Sequence, residues 1–229
     1  MNTKHKKPTL TKKQRHRLRV QQVRRQKIFL ACLFLLIVGC ILLRFFQFSG
    51  RQEEAYQINA ACEAYRDEVS SEAAQYDMSD YVDLVLAVMM QESSGQGTDP
   101  MQSSEGAYNT RYPQQPNGIT DPSYSISCGI QELKYALDKA GCTGPTDLSK
   151  IRLALQAYNF GADSYFAYLE KNGQTVWTAQ SAQAFAQMAS GGTQRDEDDP
   201  LHDPAGPWDY GDQYYPDHVL RYYHLDNNS

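Results

Sequence analysis

The first 51 residues contain no aspartate or glutamate, although they hold 13 of the chain's 22 lysines and arginines. The following 178 residues hold the other nine bases and all 27 acids, a net charge of −18. A basic head on an acidic body excludes a uniformly basic nucleic-acid binder, and the body's charge repels phosphates. No Cys-X-X-Cys pair occurs. Cys32 and Cys40 lie in an apolar run, and Cys62, Cys128 and Cys142 beyond it allow at most one bridge. His202, His218 and His224 lack metal-ligand spacing, so neither a zinc site nor another cofactor is expected. Strand-like alternation is scarce, which argues against an all-β body. Hydrophobic residues at 41% and aromatics at 11% exclude a largely disordered chain, and the acidic part is long enough for one domain with its own core.

The head has the pattern of a membrane anchor. Residues 1–27 carry eleven Lys/Arg, and Ile28 to Leu43 then run sixteen residues without a charge. Continued through Phe45, Phe46 and Phe48, the apolar run makes roughly 31 Å of helix, about the thickness of a bilayer's hydrocarbon core. Arg44 lies where its stem reaches the headgroups. A basic flank stays in the cytoplasm, so the body is expected outside the cell membrane as a single-pass protein. A cleaved signal peptide is the weaker alternative, since no small-residue cleavage site ends the run. A lipoprotein is another, since Ile37-Val38-Gly39-Cys40 resembles a lipobox, but apolar residues continue past it. The expected organisation is a basic cytoplasmic segment (1–27), an anchor (28–48), a linker (49–55), a catalytic domain (56–224) and a short tail (225–229).

The body reads as mainly α. Glu53–Gln75 is rich in Ala and Glu without Pro or Gly. Ser79 is placed to cap a helix through Glu92, with Val82, Val85, Leu86 and Met89 at helical spacing. Asp121-Pro122 opens a helix carrying Ile126, Ile130, Leu133 and Leu137, and Gly141 stops it. Thr146 or Asp147 caps the next, which runs past Tyr158 to Gly161. Ser164–Glu170, Thr178–Ala189 and Asp217–His224 complete the series. Gly191–Pro207 reads as an acidic, Gly/Pro-containing loop in which Arg195–Asp199 is expected to be a solvated linker; a calcium site is the weaker alternative, since EF-hand spacing is absent. Thr98–Thr120, rich in Gly, Pro, Asn and Ser, is a long loop of the kind that carries function.

Glu92 is the residue with chemistry in view. One and two turns behind it on the same helix lie Met89, Val88 and Val85, all apolar. Poor solvation favours the neutral carboxyl, and a carboxyl protonated near neutral pH can act as a general acid on a glycosidic oxygen. The residues alone fit at least as well a carboxylate at a frayed, wet helix end.

Motif order separates these readings. Gln91-Glu92-Ser93-Ser94-Gly95 resembles the Glu-Ser motif of the lytic transglycosylase and goose-type lysozyme superfamily. Asp99-Pro100-Met101-Gln102 is similar to its Gly-Leu-Met-Gln motif, and Gln156-Ala157-Tyr158-Asn159-Phe160-Gly161 to its Ala-Tyr-Asn motif. The helix from Thr120-Asp121-Pro122 with Ile126, Gly129 and Leu133 resembles the one packed behind that family's cleft. The stretch Met89–Glu105, together with Tyr210-Gly211-Asp212 and His218–Tyr223, is similar to the muramidase domain of CwlT-type cell-wall hydrolases of Gram-positive conjugative elements. Such proteins often carry a C-terminal peptidase domain; this sequence ends at Ser229, so that second activity is expected to be missing here and supplied by a partner.

The resemblance implies a lysozyme-like helical domain in which Glu92 is the acid on the bond between N-acetylmuramic acid and N-acetylglucosamine. Asp99 fills the position of a second implicated carboxylate and would orient water or balance positive charge developing on the sugar. Ser93, Met101, Gln102, Tyr158 and Asn159 would bind the sugar or fix Glu92. Tyr108, Tyr112 and Tyr124 are candidates for stacking on sugar rings. Asp99-Pro100 departs from the superfamily's Gly-Leu, which leaves hydrolysis and anhydro-ring formation both open, with Asp99 favouring hydrolysis. Expected partners are peptidoglycan strands, the membrane and proteins of a conjugative transfer channel. A non-catalytic glycan-binding scaffold is the alternative of another class.

Overall fold

The computed structural model describes residues 56–199 and 202–224. The expected anchor 28–48, the segments on either side of it and the tail 225–229 lie outside these residues. Among the described residues no helix is long and apolar enough to cross a membrane.

The described chain is helical, in the order α1 (Ala60–Glu63), α2 (Arg66–Gln75), a 3-10 turn (Ser79–Tyr81), α3 (Val82–Ser93), α4 (Pro122–Ala140), α5 (Leu148–Phe160), α6 (Ala162–Lys171), α7 (Ala179–Ala189) and α8 (Tyr215–Leu220). Its one β feature is an isolated bridge between Gln194 and Trp208. The caps follow the sequence. Asp121 accepts a hydrogen bond from the Ser123 amide, with Pro122 in the first turn. Asp147 caps α5, and Thr178 forms a reciprocal capping box with Ser181.

Three segments differ from expectation. Of the expected Glu53–Gln75 helix, the described part from Tyr56 holds two separate helices: the Asn59 side chain accepts from the Cys62 amide and starts α1, and α2 opens anew at Arg66. Ser79 does not cap α3; it opens the 3-10 turn that leads into Val82. The last helix ends at Leu220 rather than His224, and Tyr223 leaves it to donate to the Pro145 carbonyl at 2.9 Å.

α3 is the buried axis. Leu84 through Met89 are all fully buried, and each large side chain contributes about 1.5–3 kcal/mol of burial free energy. α5 packs on α4, α6 and α8, while α3 packs on α1, α2 and α8. α8 therefore touches both α3 and α5, and brings the C-terminal part of the chain to the end of α3 where Glu92 stands. Cys62, Cys128 and Cys142 are free thiols.

Candidate active site

Glu92 occupies the last turn of α3, which closes at Ser94 in a left-handed conformation, φ 56°. Ser93 Oγ donates to the Pro100 carbonyl at 2.8 Å and accepts from the Gly95 amide at 3.1 Å. Asn59 Nδ2 donates to the Ser94 carbonyl at 3.0 Å. The Glu-Ser pair thus ends the helix and ties the following loop to it, with the Glu92 carboxyl at the loop's mouth.

That loop is organised by Asp99, which is 2% exposed. Its Oδ1 accepts from the Ser125 hydroxyl at 2.6 Å and the Ser103 amide at 3.1 Å. Its Oδ2 accepts from the amide and the hydroxyl of Ser104. The buried carboxylate ties loop residues 103–104 to α4. Met101 is fully buried; its amide donates to Ser125 Oγ at 3.1 Å, and its carbonyl accepts from the Tyr158 hydroxyl at 2.9 Å. Gln102, with φ 48°, donates from Nε2 to the Asp99 carbonyl and to Asn117 Oδ1, both at 3.0 Å.

The opposite wall comes from α5 and α8. The Tyr215 hydroxyl donates to Glu92 Oε1 at 2.5 Å, and its ring stacks on Tyr158 at 6.3 Å and 22°. Asn159 Oδ1 accepts from the Asp212 amide at 2.7 Å, and the buried Gln156 donates to the Asp212 carbonyl at 2.8 Å. Asp212 accepts in turn from the Tyr214 amide at 2.8 Å and pairs with His218 Nδ1 at 2.5 Å. Asp196, Glu197 and Asp198 of the expected Arg195–Asp199 linker are exposed, but the Gly191–Pro207 loop that carries them is tied down. The Arg195 amide donates to the Pro207 carbonyl and the Asp209 amide to the Thr193 carbonyl, both at 2.9 Å, so its ends are zipped together. Arg195 Nη2 also donates to the Gly211 carbonyl at 2.9 Å.

Between these walls runs a cleft with two lobes of about 620 and 650 Å³, and Glu92, Gln102 and Asn159 line both. Each lobe has the size of a ligand site. Burial pushes the Glu92 carboxyl up to about 7. The Tyr215 hydrogen bond works against that rise, and the charges of Asp212 and Asp99 add to it.

Ser93, Met101, Gln102, Tyr158 and Asn159 therefore all converge on the end of α3, Gln102 and Asn159 on the cleft surface and Met101 beneath it. Asp99 is near but spends its oxygens on the loop. Tyr108 lines the cleft. Tyr124 donates to the Tyr108 carbonyl at 3.2 Å and packs against Tyr112, so those two rings brace the loop. Tyr215, the direct partner of Glu92, was not singled out from the sequence; its only local signal is the Tyr-Pro step that opens α8. Glu132 on α4 was missed as well.

The sequence model of the lysozyme-like family matches residues 60–223, the whole span over which these side chains converge. The chain belongs to the lysozyme-like family. It is 35% identical over 169 residues to the bifunctional muramidase/DL-endopeptidase CwlT of Bacillus subtilis, a match covering 74% of this chain and 44% of that protein. An uncharacterized membrane protein of Bacillus subtilis, YocA, is 38% identical over 111 residues, covering 48% of this chain and 45% of YocA. The pneumococcal vaccine antigen A of Streptococcus pneumoniae is 32% identical over 140 residues, covering 58% of this chain and 61% of the antigen. The chain spans about half the length or less of the first two. Among solved structures, a Staphylococcus aureus protein described as similar to a lipoprotein of the NLP/P60 family superposes with a TM-score of 0.61 at 27% identity, covering 76% of this chain and 56% of that one.

Proposed function

We propose that this lysozyme-like chain is a peptidoglycan muramidase that cleaves the bond between N-acetylmuramic acid and N-acetylglucosamine, with Glu92 as the general acid. The observation that carries the reading is a half-buried carboxyl, pushed by desolvation up to about 7, that lines both lobes of the cleft. Near neutral pH such a group still holds a proton to give. Glu92 protonates the bridging oxygen and the bond from the muramic C1 to that oxygen breaks. Water then adds at C1, and the proton it sheds replaces the one Glu92 gave up. The similarity to a protein named as a muramidase supports the substrate.

In this reading Asp99 acts through its charge and through the loop it holds: the carboxylate favours neutral Glu92 and steadies the positive charge that develops on the sugar. Ser93 fixes the end of α3, Met101 and Tyr158 support the cleft floor, and Gln102 and Asn159 face the glycan. A second outcome has an observation behind it. Because both Asp99 oxygens are occupied, activation of water by Asp99 has no free atom to work through, which favours closure of an anhydro ring by the sugar's own 6-hydroxyl.

The basic head and the apolar run support a single-pass anchor with the catalytic domain on the outer face of the cell membrane, and the similarity to a protein named as a membrane protein agrees with it. The purpose we assign is local opening of the wall for a conjugative transfer channel, resting on the resemblance to CwlT-type proteins.

The test is mass spectrometry of fragments released from Gram-positive peptidoglycan by the full-length chain and by Glu92→Gln. Reducing muramic ends, lost in the variant, establish the muramidase. Fragments lighter by one water establish the transglycosylase. No fragments from either folded protein would leave a glycan-binding scaffold.

A further inference from the structure

One carboxyl in the cleft has no part in this mechanism. Glu132 lies three residues after Gly129, on the face of α4 that supports Met101, and lines the same lobe as Glu92. It packs against the loop so closely that a Cβ at Gly106 would lie 1.4 Å from its Oε1. Oε1 is buried and has no hydrogen-bond partner. An oxygen in that position is costly as part of a carboxylate and far cheaper in a neutral acid.

The surroundings agree. It shares the lobe with Glu92 from α3, Glu105 and Tyr108 from the loop, Tyr135 from its own helix, Tyr158 from α5, Asp163 from α6 and Tyr210 ahead of α8, with no cation among them. Asp163 is already engaged by Lys139 and Tyr135. Burial is the main cause that pushes the Glu132 carboxyl up to about 7; hydrogen bonds donated to the carboxyl by the Tyr108 and Ala107 amides oppose the rise, and the charges of Asp99 and Glu92 add to it. Oε1 is closed off behind Gly106, so a neutral carboxyl offers its hydrogen from Oε2, and no protein acceptor takes it.

We propose that Glu132 is a substrate-binding residue whose protonated carboxyl donates a hydrogen bond to an oxygen acceptor on the glycan, an acetamido carbonyl or a sugar hydroxyl, in the lobe lined by Tyr108 and Tyr158. The assignment rests on the cleft being a glycan site but not on Glu92 being the acid.

The experiment measures binding without turnover. The full-length chain carrying Glu92→Gln is titrated calorimetrically with a tetrasaccharide of alternating N-acetylglucosamine and N-acetylmuramic acid. Adding Glu132→Ala should weaken binding roughly tenfold, while adding Glu132→Gln, which keeps a neutral donor, should not. Raising the pH from about 6 to about 9 should weaken the Glu92→Gln chain several-fold and leave the Glu92→Gln, Glu132→Gln chain unchanged. A Glu132 that only braces the loop as an acceptor would bind no worse on ionising, so a flat pH response overturns the proposal. So does a Gln variant as weak as the Ala variant. Should the Ala variant not fold, the Gln comparison across pH still decides. No binding by the Glu92→Gln chain itself would overturn the glycan cleft and this assignment together, whereas binding indifferent to Glu132 overturns this assignment alone.

Discussion

The hydroxyl of Tyr215 donates to Oε1 of Glu92 at 2.5 Å, joining residues 123 positions apart in the chain. A hydrogen bond given to a carboxyl oxygen favours the carboxylate, so Tyr215 restrains the upward push that burial exerts on Glu92. Two opposed influences thus set the pH range over which this carboxyl keeps its proton.

Tyr215→Phe removes the restraint and keeps the ring that stacks on Tyr158. The Glu92 carboxyl should then titrate above its value of about 7, and the alkaline limb of kcat should move to higher pH. A pH–rate profile of the variant beside the parent checks it. A limb displaced to lower pH would mean that the hydroxyl does not stabilise the carboxylate.

Glu92→Gln should make the protein inactive and, in alkali, more stable. The ordinary value of this carboxyl is 4.5 and its folded value is about 7. Below the lower value both folded and unfolded chains hold the proton, so nothing is lost. As pH rises between the two, the unfolded chain releases its proton while the folded one keeps it, and stability falls. Above the upper value the penalty is constant, on the order of 3 kcal/mol at most. Thermal unfolding at about pH 8 should therefore favour the Gln variant, and at about pH 4 the difference should vanish.

How much of this was legible beforehand depends on sequence distance. The caps at Asp121, Asp147 and Thr178 are local signals, and the structure has them where the residues stand. The apolar face behind Glu92 is local too. Tyr215 was invisible because its meaning lies in a partner over a hundred residues away, and nothing in Tyr-Pro specifies that partner. Glu132 was hidden for a related reason: at helical spacing it reads as an ordinary exposed glutamate, and only the approach of Gly106 buries its oxygen. The acidic Arg195–Asp199 run has the composition of a solvated linker, and its middle is exposed as that composition implies. Its pinning by backbone pairs to Pro207 and Asp209 leaves no compositional trace.

Asp99 should respond differently to its two natural replacements. Asp99→Ala strands the Ser103 and Ser104 amides and two serine hydroxyls, and should cost about 3 kcal/mol or more in thermal unfolding. Asp99→Asn keeps one acceptor oxygen, so the fold should suffer less, but it removes a charge that pushes Glu92 upward. Its alkaline limb should move to lower pH, opposite to Tyr215→Phe. An unchanged limb would confine Asp99 to holding the loop.

Gly129→Ala tests whether the cleft floor is set by backbone approach. Helix propensity alone favours alanine in the middle of α4 by about 1 kcal/mol. The added methyl would lie 2.6 Å from Met101 Cβ and 2.9 Å from its Cγ and Cε. Met101 has little freedom to withdraw, since its amide is bound to Ser125 and its carbonyl to Tyr158. A Cβ contact cannot be relieved by changing a rotamer, so the loop itself must shift. Overpacking of this kind costs about 1–3 kcal/mol, which outweighs the propensity gain. Gln102 follows Met101 directly and lines the cleft, so displacing one displaces the other. The variant should melt lower and lose kcat/KM, measured by thermal unfolding and by release of soluble fragments from peptidoglycan. A variant that melts higher, as propensity alone dictates, would show that the loop yields to the methyl freely and that Gly129 does not fix the floor of the site.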